Sequence, residues 1–205
     1  MSYQATPYQL DALREYLSIG VGKAAATLNT MLGKHIDLKL PEISIFKSSD
    51  FLKTLAEDKS LYSSVTLGFK GSLTGNASVV FDTKSAAGLV SMLVPNADEN
   101  PSELDEISES TLTEVGNIII NSVMGTLSNC FSFELDYLVP QYRETLLDKF
   151  FANNIDHETE EVILFGETFL IVEKKQVQGK VVIFLLLDDL KNLLETWKES
   201  DKDRR

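Results

Sequence analysis

The sequence holds one cysteine, Cys130, and two histidines, His35 and His157. A single cysteine excludes an intrachain disulfide. Set among apolar helical residues, a lone Cys is expected in a core. The histidines lie far apart in the chain, and no Cys/His cluster has metal-ligand spacing, so no metal centre is expected. Long apolar runs are missing as well. VVIFLLL at 181–187 is seven residues, far below the roughly 20 that span a bilayer. Positive charge is in short supply: 19 Lys and Arg stand against 31 Asp and Glu, a net charge of -12. That argues against a nucleic-acid backbone or an anionic membrane as the main partner. It is compatible with a locally basic partner protein. The N-terminus, MSYQATPYQL, lacks a basic region followed by an apolar stretch and does not read as a signal peptide. The cytoplasm is the default location.

Apolar residues make up 43% of the 205 and charged residues 24%, the balance of a soluble globular chain. The length suffices for one sizeable core, or for two small halves sharing one. A helix is expected from about Gln9 to Leu32, where Leu10, Leu13, Leu17, Val21, Ala24, Ala25, Leu28 and Leu32 recur at spacings of three and four. Gly20 and Gly22 interrupt it, and close approach of another backbone is the expected reason. Gly33 ends it. A strand with Pro41 follows over 36–46, with the proline at an edge or a bulge. Next come a short helix over 49–57, strands over 63–70 and 72–81 turning near Gly71, and a helix capped by Asp82 or Thr83.

Residues 95–109 form a linker rich in Pro, Asn, Asp, Glu and Ser. Beyond it, a second long helix is expected from about Glu106 to Asn129, so its first turn overlaps the linker's end. A strand over 133–139, Pro140 and a short helix over 144–151 come next. Strands over 161–173 and 180–187 and a helix ending near Trp197 complete the chain. The two lists run in the same order: long helix, strand with proline, short helix, two strands, helix. The whole chain, 1–205, is therefore expected to be one α+β domain with a pseudo-twofold internal repeat. Its halves are 11–94 and 110–197, with two long helices packed against antiparallel sheet structure.

The repeat extends to single positions. Ser110, Glu114 and Asn117 lie on the second long helix, and 22 residues separate Asn117 from Pro140. Asp11, Glu15 and Ser18 lie on the first, and 22 residues separate Ser18 from Pro41. Residues three apart share a helix face, so Glu114 and Asn117 project together. A carboxamide has an acceptor and two donors and can hold a water in line with a phosphoryl group. Such positioning supplies rate without a strong base. A carboxylate beside it can accept a charge-assisted hydrogen bond from a partner's lysine.

This pattern resembles the CheC/CheX/FliY family of chemotaxis phosphatases, and its CheC branch above all. The signature is an Asp or Ser, a Glu, an Asn and a Pro at these spacings. Ser110, Glu114, Asn117 and Pro140 match throughout. Asp11, Glu15 and Pro41 match, but Ser18 replaces the Asn. Gly20, Gly22 and Gly116 also fit the family's pattern. The resemblance implies a protein phosphatase that hydrolyses the aspartyl phosphate of a CheY-like response regulator. Glu114 would dock the regulator and Asn117 orient the water. No cofactor of its own is implied; Mg2+ is expected in the regulator's acidic pocket. CheD is a possible second partner, and a CheD-binding or regulator-binding module with little activity is the alternative. No long extension of the kind carried by a switch-complex component is evident. Glu15 and Ser18 form a degenerate second site, able to dock but poor at hydrolysis. Ser110 is expected to cap or turn the segment entering the helix. Pro140 is expected to shape a strand end. Gly116 is expected to admit the partner or the neighbouring helix.

Overall fold

The computed structural model describes residues 5–48, 51, 60–95, 97–98, 104–155, 161–172 and 175–200. Two long helices dominate it, α1 (Pro7–Leu32) and α3 (Glu106–Phe131), each of 26 residues. Helix α1 starts at Thr6, whose hydroxyl accepts from the Gln9 N–H while the Gln9 side chain accepts from the Thr6 N–H. This reciprocal pair, followed by Pro7, satisfies donors the first turn would otherwise strand. Helix α3 starts at Asp105, whose carboxylate accepts from the N–H of Ser108 at 2.8 Å. Both helices end on a left-handed residue, Gly33 at φ 61° and Ser132 at φ 55°. Caps, lengths and ends thus fall at matching places in the two halves. Because α3 begins at Glu106, the last four residues of the 95–109 linker are its first turn, as the overlap implied.

The strands are β1 (Ile36–Lys47), β2 (Leu61–Gly71), β3 (Gly75–Asp82), β4 (Leu135–Tyr137), β5 (Gln141–Leu146), β6 (Glu161–Val172) and β7 (Lys175–Leu186). Three short helices complete the described structure: α2 (Thr83–Leu93), α4 (Leu147–Asn154) and α5 (Leu187–Ser200). One antiparallel seven-stranded sheet runs β1-β6-β7-β3-β2-β4, with β5 also on β2. That order is a palindrome. The first strand of each half (β1, or β4 with β5) pairs with the second half's or first half's middle strand, β6 or β2. The last strands, β3 and β7, join at the centre. The pseudo-twofold repeat is therefore built into the hydrogen bonding, with each half lending its first strand to the other.

The two prolines act at matching places. Around Pro41, β1 stays continuous but its register shifts between Lys39 and Glu42, a bulge on an edge strand. Before Pro140 the strand breaks outright into β4 and β5, although the Leu138 N–H still donates to the Gly68 carbonyl at 2.9 Å. The strand expected over 133–139 is thus reduced to 135–137. The helix expected over 144–151 starts later, at Leu147, because Glu144–Leu146 pair with β2 as strand. Of the helix expected over 49–57, only Phe51 lies among the described residues.

Side chains alternate across the sheet. Val79, Val181, Ile183 and Leu185 face a core shared with α1, α2, α3 and α5. Val80, Val182 and Phe184 face a smaller, aromatic core with Phe51, Phe150 and Phe151. Burial on both faces explains why 181–185 reads as an unbroken apolar run. Cys130, expected in a core, is exposed. It lies beyond Leu127, the last buried residue of α3.

Gly20 is the point where the long helices meet. A Cβ there would lie 2.7 Å from Val123 Cα, so only glycine lets the backbones come this close. Gly22 has no such role: nothing lies within 4 Å of its Cβ position. Among the described residues, no helix is long and apolar enough to cross a membrane.

Candidate active site

Helix α3 buries Leu112, Val115, Gly116, Ile119, Ile120 and Val123. At 100° per residue, these occupy one side of the helix. Ser110, Glu114, Asn117 and Asn121 then fall on the opposite side, in one line. The structure places them so: Ser110, Glu114 and Asn121 are exposed and Asn117 is half-buried. The same reasoning sets Asp11, Glu15, Ser18 and Gly22 on the outer side of α1, and all four are exposed. Each half therefore turns its motif away from the sheet.

The second half's face carries the fuller chemistry. Among the described residues, no hydrogen bond or ion pair engages the Glu114 carboxylate, which faces solvent. The Asn121 side-chain N–H donates to Asn117 Oδ1 at 2.8 Å. Among the described residues, that leaves the Asn117 amide donors and one lone pair of Oδ1 without a hydrogen-bond partner. On the first face, Asp11 pairs with Arg14 at 3.3 Å. Ser18 offers one short hydroxyl, and Gly22, at the position of Asn121, offers nothing.

Ser110 does not cap the helix. Asp105 does, and its carboxyl is held below the usual carboxylate range by the Ser108 hydroxyl and N–H. Ser110 instead sits one turn before Glu114 on the exposed line. Gly116 faces the sheet. A Cβ on it would lie 2.6 Å from Val65 Cβ, so it seats α3 on strand β2. Pro140 is half-buried and opens β5, in which Tyr142 lies opposite Val65. Tyr142 donates to the Ser63 hydroxyl at 3.2 Å, and burial pushes its phenol up to about 12. Pro140 and Gly116 thus converge on the strand that supports α3 beneath Glu114 and Asn117. Asn121 falls outside the four-position motif. Its one signal in the sequence is an Asn four residues after an Asn on an exposed helix face.

The fold and the paired faces define a class: a two-half α+β protein that displays a Glu and a carboxamide on the outside of a long helix. No family model matches the chain. The CheY-P phosphatase CheC of Bacillus subtilis (strain 168) is 28% identical over 188 residues, which are 88% of this chain and 88% of that protein. The flagellar motor switch phosphatase FliY of the same organism is 22% identical over 93% of this chain, and the chain spans 50% of FliY's length. The X-ray crystal structure of Thermotoga maritima FliY matches the fold with a TM-score of 0.76 at 22% identity, covering 96% of this chain and 99% of that one. In sequence and in fold the chain is similar to members of the CheC/CheX/FliY family of chemotaxis phosphatases.

Proposed function

We propose that this chain is a phosphatase that removes the phosphoryl group from the active-site aspartate of a CheY-like response regulator. The observation that carries the reading is the placement of Glu114 and Asn117 together on the solvent face of α3, seated on β2 through Gly116. An exposed helix face can enter another protein's active site, whereas a buried pair cannot. The likeness to a CheY-P phosphatase over most of both chains supports the same partner class.

An aspartyl phosphate is a mixed anhydride, already activated toward water. The chain need not supply a strong base; it must hold a water in line with the phosphorus and opposite the aspartyl oxygen. Asn117 has the groups for that task. Its carboxamide accepts from the water and donates to a nearby oxygen. The water's oxygen bonds to phosphorus as the bond to the aspartyl oxygen breaks, yielding inorganic phosphate and a free carboxylate. The unpaired Glu114 accepts a charge-assisted hydrogen bond from a lysine of the regulator and fixes the register. A Mg2+ ion held by the regulator's own acidic pocket would neutralise charge on the phosphoryl oxygens.

The test is the decay of a phosphorylated response regulator at fixed Mg2+, with and without this chain in excess. Acceleration supports the phosphatase reading. Binding of the phosphorylated regulator with no acceleration would make the chain a docking module instead. Capture of CheD without either effect would point to the same alternative.

A further inference from the structure

We infer that Asn121 is a positioning residue for the hydrolysis, acting through Asn117, and that its absence at Gly22 is a second defect of the first-half face. The inference rests on the water-positioning reading of Asn117.

Asn117 and Asn121 are one turn apart, both on the outer side of α3, and joined by the 2.8 Å hydrogen bond from Asn121 Nδ2 to Asn117 Oδ1. A terminal amide torsion is broad and roughly two-fold, so a solitary exposed Asn samples both orientations of its oxygen and nitrogen. Only one suits a given arrangement of water and phosphoryl oxygens. A donor fixed beside Oδ1 selects the orientation in which that oxygen faces Asn121, with its second lone pair left to accept from the water and the NH2 left to donate. It also draws charge from the carboxamide and strengthens the N–H donors. Asn121 touches neither water nor phosphate in this scheme. It sets which atoms Asn117 presents.

The internal repeat supplies independent support. Asn117 and Ser18 are the twelfth residues of their helices, and Asn121 and Gly22 the sixteenth. The half that keeps the carboxamide keeps the donor one turn on, and the half that has lost one lacks the other. Gly22 is not held as glycine by packing, since nothing lies within 4 Å of its Cβ position. The vacant site there is open to a side chain.

The test uses the full chain with Asn121→Asp, Asn121→Gln and Asn117→Ala, measured as single-turnover decay of a regulator's aspartyl phosphate across phosphatase concentrations. Aspartate matches asparagine in shape but presents only acceptors at neutral pH, so it turns the Asn117 amide over. Glutamine keeps the donor. The expected result is a limiting rate lowered about tenfold by Asn121→Asp, with the half-saturating concentration unchanged, and most of the rate kept by Asn121→Gln. A merely structural role would not produce that split, and equal thermal melts exclude misfolding. Loss in Asn117→Ala beside full activity in Asn121→Asp overturns this inference alone, and so would the reverse hydrogen bond, from Asn117 to Asn121, if it set the active orientation. Full activity in Asn117→Ala overturns the water-positioning reading and the inference together.

Discussion

The Cβ that Gly116 lacks would fall 2.6 Å from the Cβ of Val65 and 2.9 Å from both its methyl groups. One glycine on α3 and one valine on β2 therefore fix the height of the helix that carries Glu114 and Asn117. Gly116→Ala would gain helix propensity but must lift the helix or displace the strand. Overpacking of this kind costs about 1–3 kcal/mol. A lowered thermal midpoint, by roughly 2–4 °C per kcal/mol in a chain of this size, is expected by differential scanning calorimetry. An unchanged or raised midpoint would show that Val65 yields freely.

The two α1 glycines should respond in opposite directions. At Gly20 a methyl group meets the Val123 backbone, which cannot rotate away as a side chain can. Gly20→Ala is expected to destabilise by about 1–3 kcal/mol. At exposed Gly22 a methyl group meets nothing, and Gly22→Ala should stabilise by about 0.5–1 kcal/mol through the unfolded chain and helix propensity. Urea midpoints of the two variants should bracket that of the parent. The same sign for both would contradict the helix contact at Gly20.

Much of this arrangement was legible in the chain. The 3.6-residue periodicity gave both long helices, and the equal spacing of Glu15, Ser18 and Pro41 with Glu114, Asn117 and Pro140 gave the repeat. What periodicity does not carry is what a side chain meets. Gly20 and Gly22 look alike in sequence, yet only Gly20 faces α3. Gly116 suggests room for a partner or for the neighbouring helix, and within this chain its close contact is with Val65 of the sheet. The pairing of Glu144–Leu146 with β2 depends on a strand some 80 residues earlier, so local propensity could not reveal it. Cys130 follows the apolar spacing, but the buried stripe of α3 ends at Leu127 and the thiol is exposed. Asn121 lay outside the motif, and the repeat explains its interest only once the hydrogen bond to Asn117 is seen.

The α3 cap gives a pH signature. The Asp105 carboxyl is held below its ordinary value chiefly by the Ser108 hydroxyl and then by the Ser108 N–H. A group whose folded pKa is depressed contributes stability above its unfolded pKa and loses it as pH falls through the folded value. Asp105→Ala should therefore melt below the parent at neutral pH. The gap should narrow as pH drops below about 3.9, the unfolded Asp value, and vanish once the folded carboxyl is protonated. A gap independent of pH in thermal melts would mean that the cap does not depend on charge.

Rebuilding the first face should need two residues. Ser18→Asn restores a carboxamide beside Glu15 but leaves it without the donor one turn on. Ser18→Asn with Gly22→Asn restores both. In an Asn117→Ala background, the double variant is expected to regain more turnover than Ser18→Asn alone. With Asn117 intact, the ceiling is roughly twofold if the two faces act equally and independently. Equal turnover in the single and double variants would remove the helper residue from the first face.

The carboxamide of Asn117 is the centre of the proposed mechanism, and one measurement reaches it most directly. A phosphorylated CheY-like regulator is mixed with excess chain at fixed Mg2+, and its aspartyl phosphate is followed through a single turnover for the parent, Asn117→Ala and Ser18→Ala. Asn117 stands on the outer side of α3 and is absent from both cores, so its removal should leave the fold intact. Loss of the positioning contact should slow decay on the order of 10²-fold in Asn117→Ala, with Ser18→Ala close to the parent. Parental decay in Asn117→Ala would contradict water positioning by this residue and turn attention to Ser18.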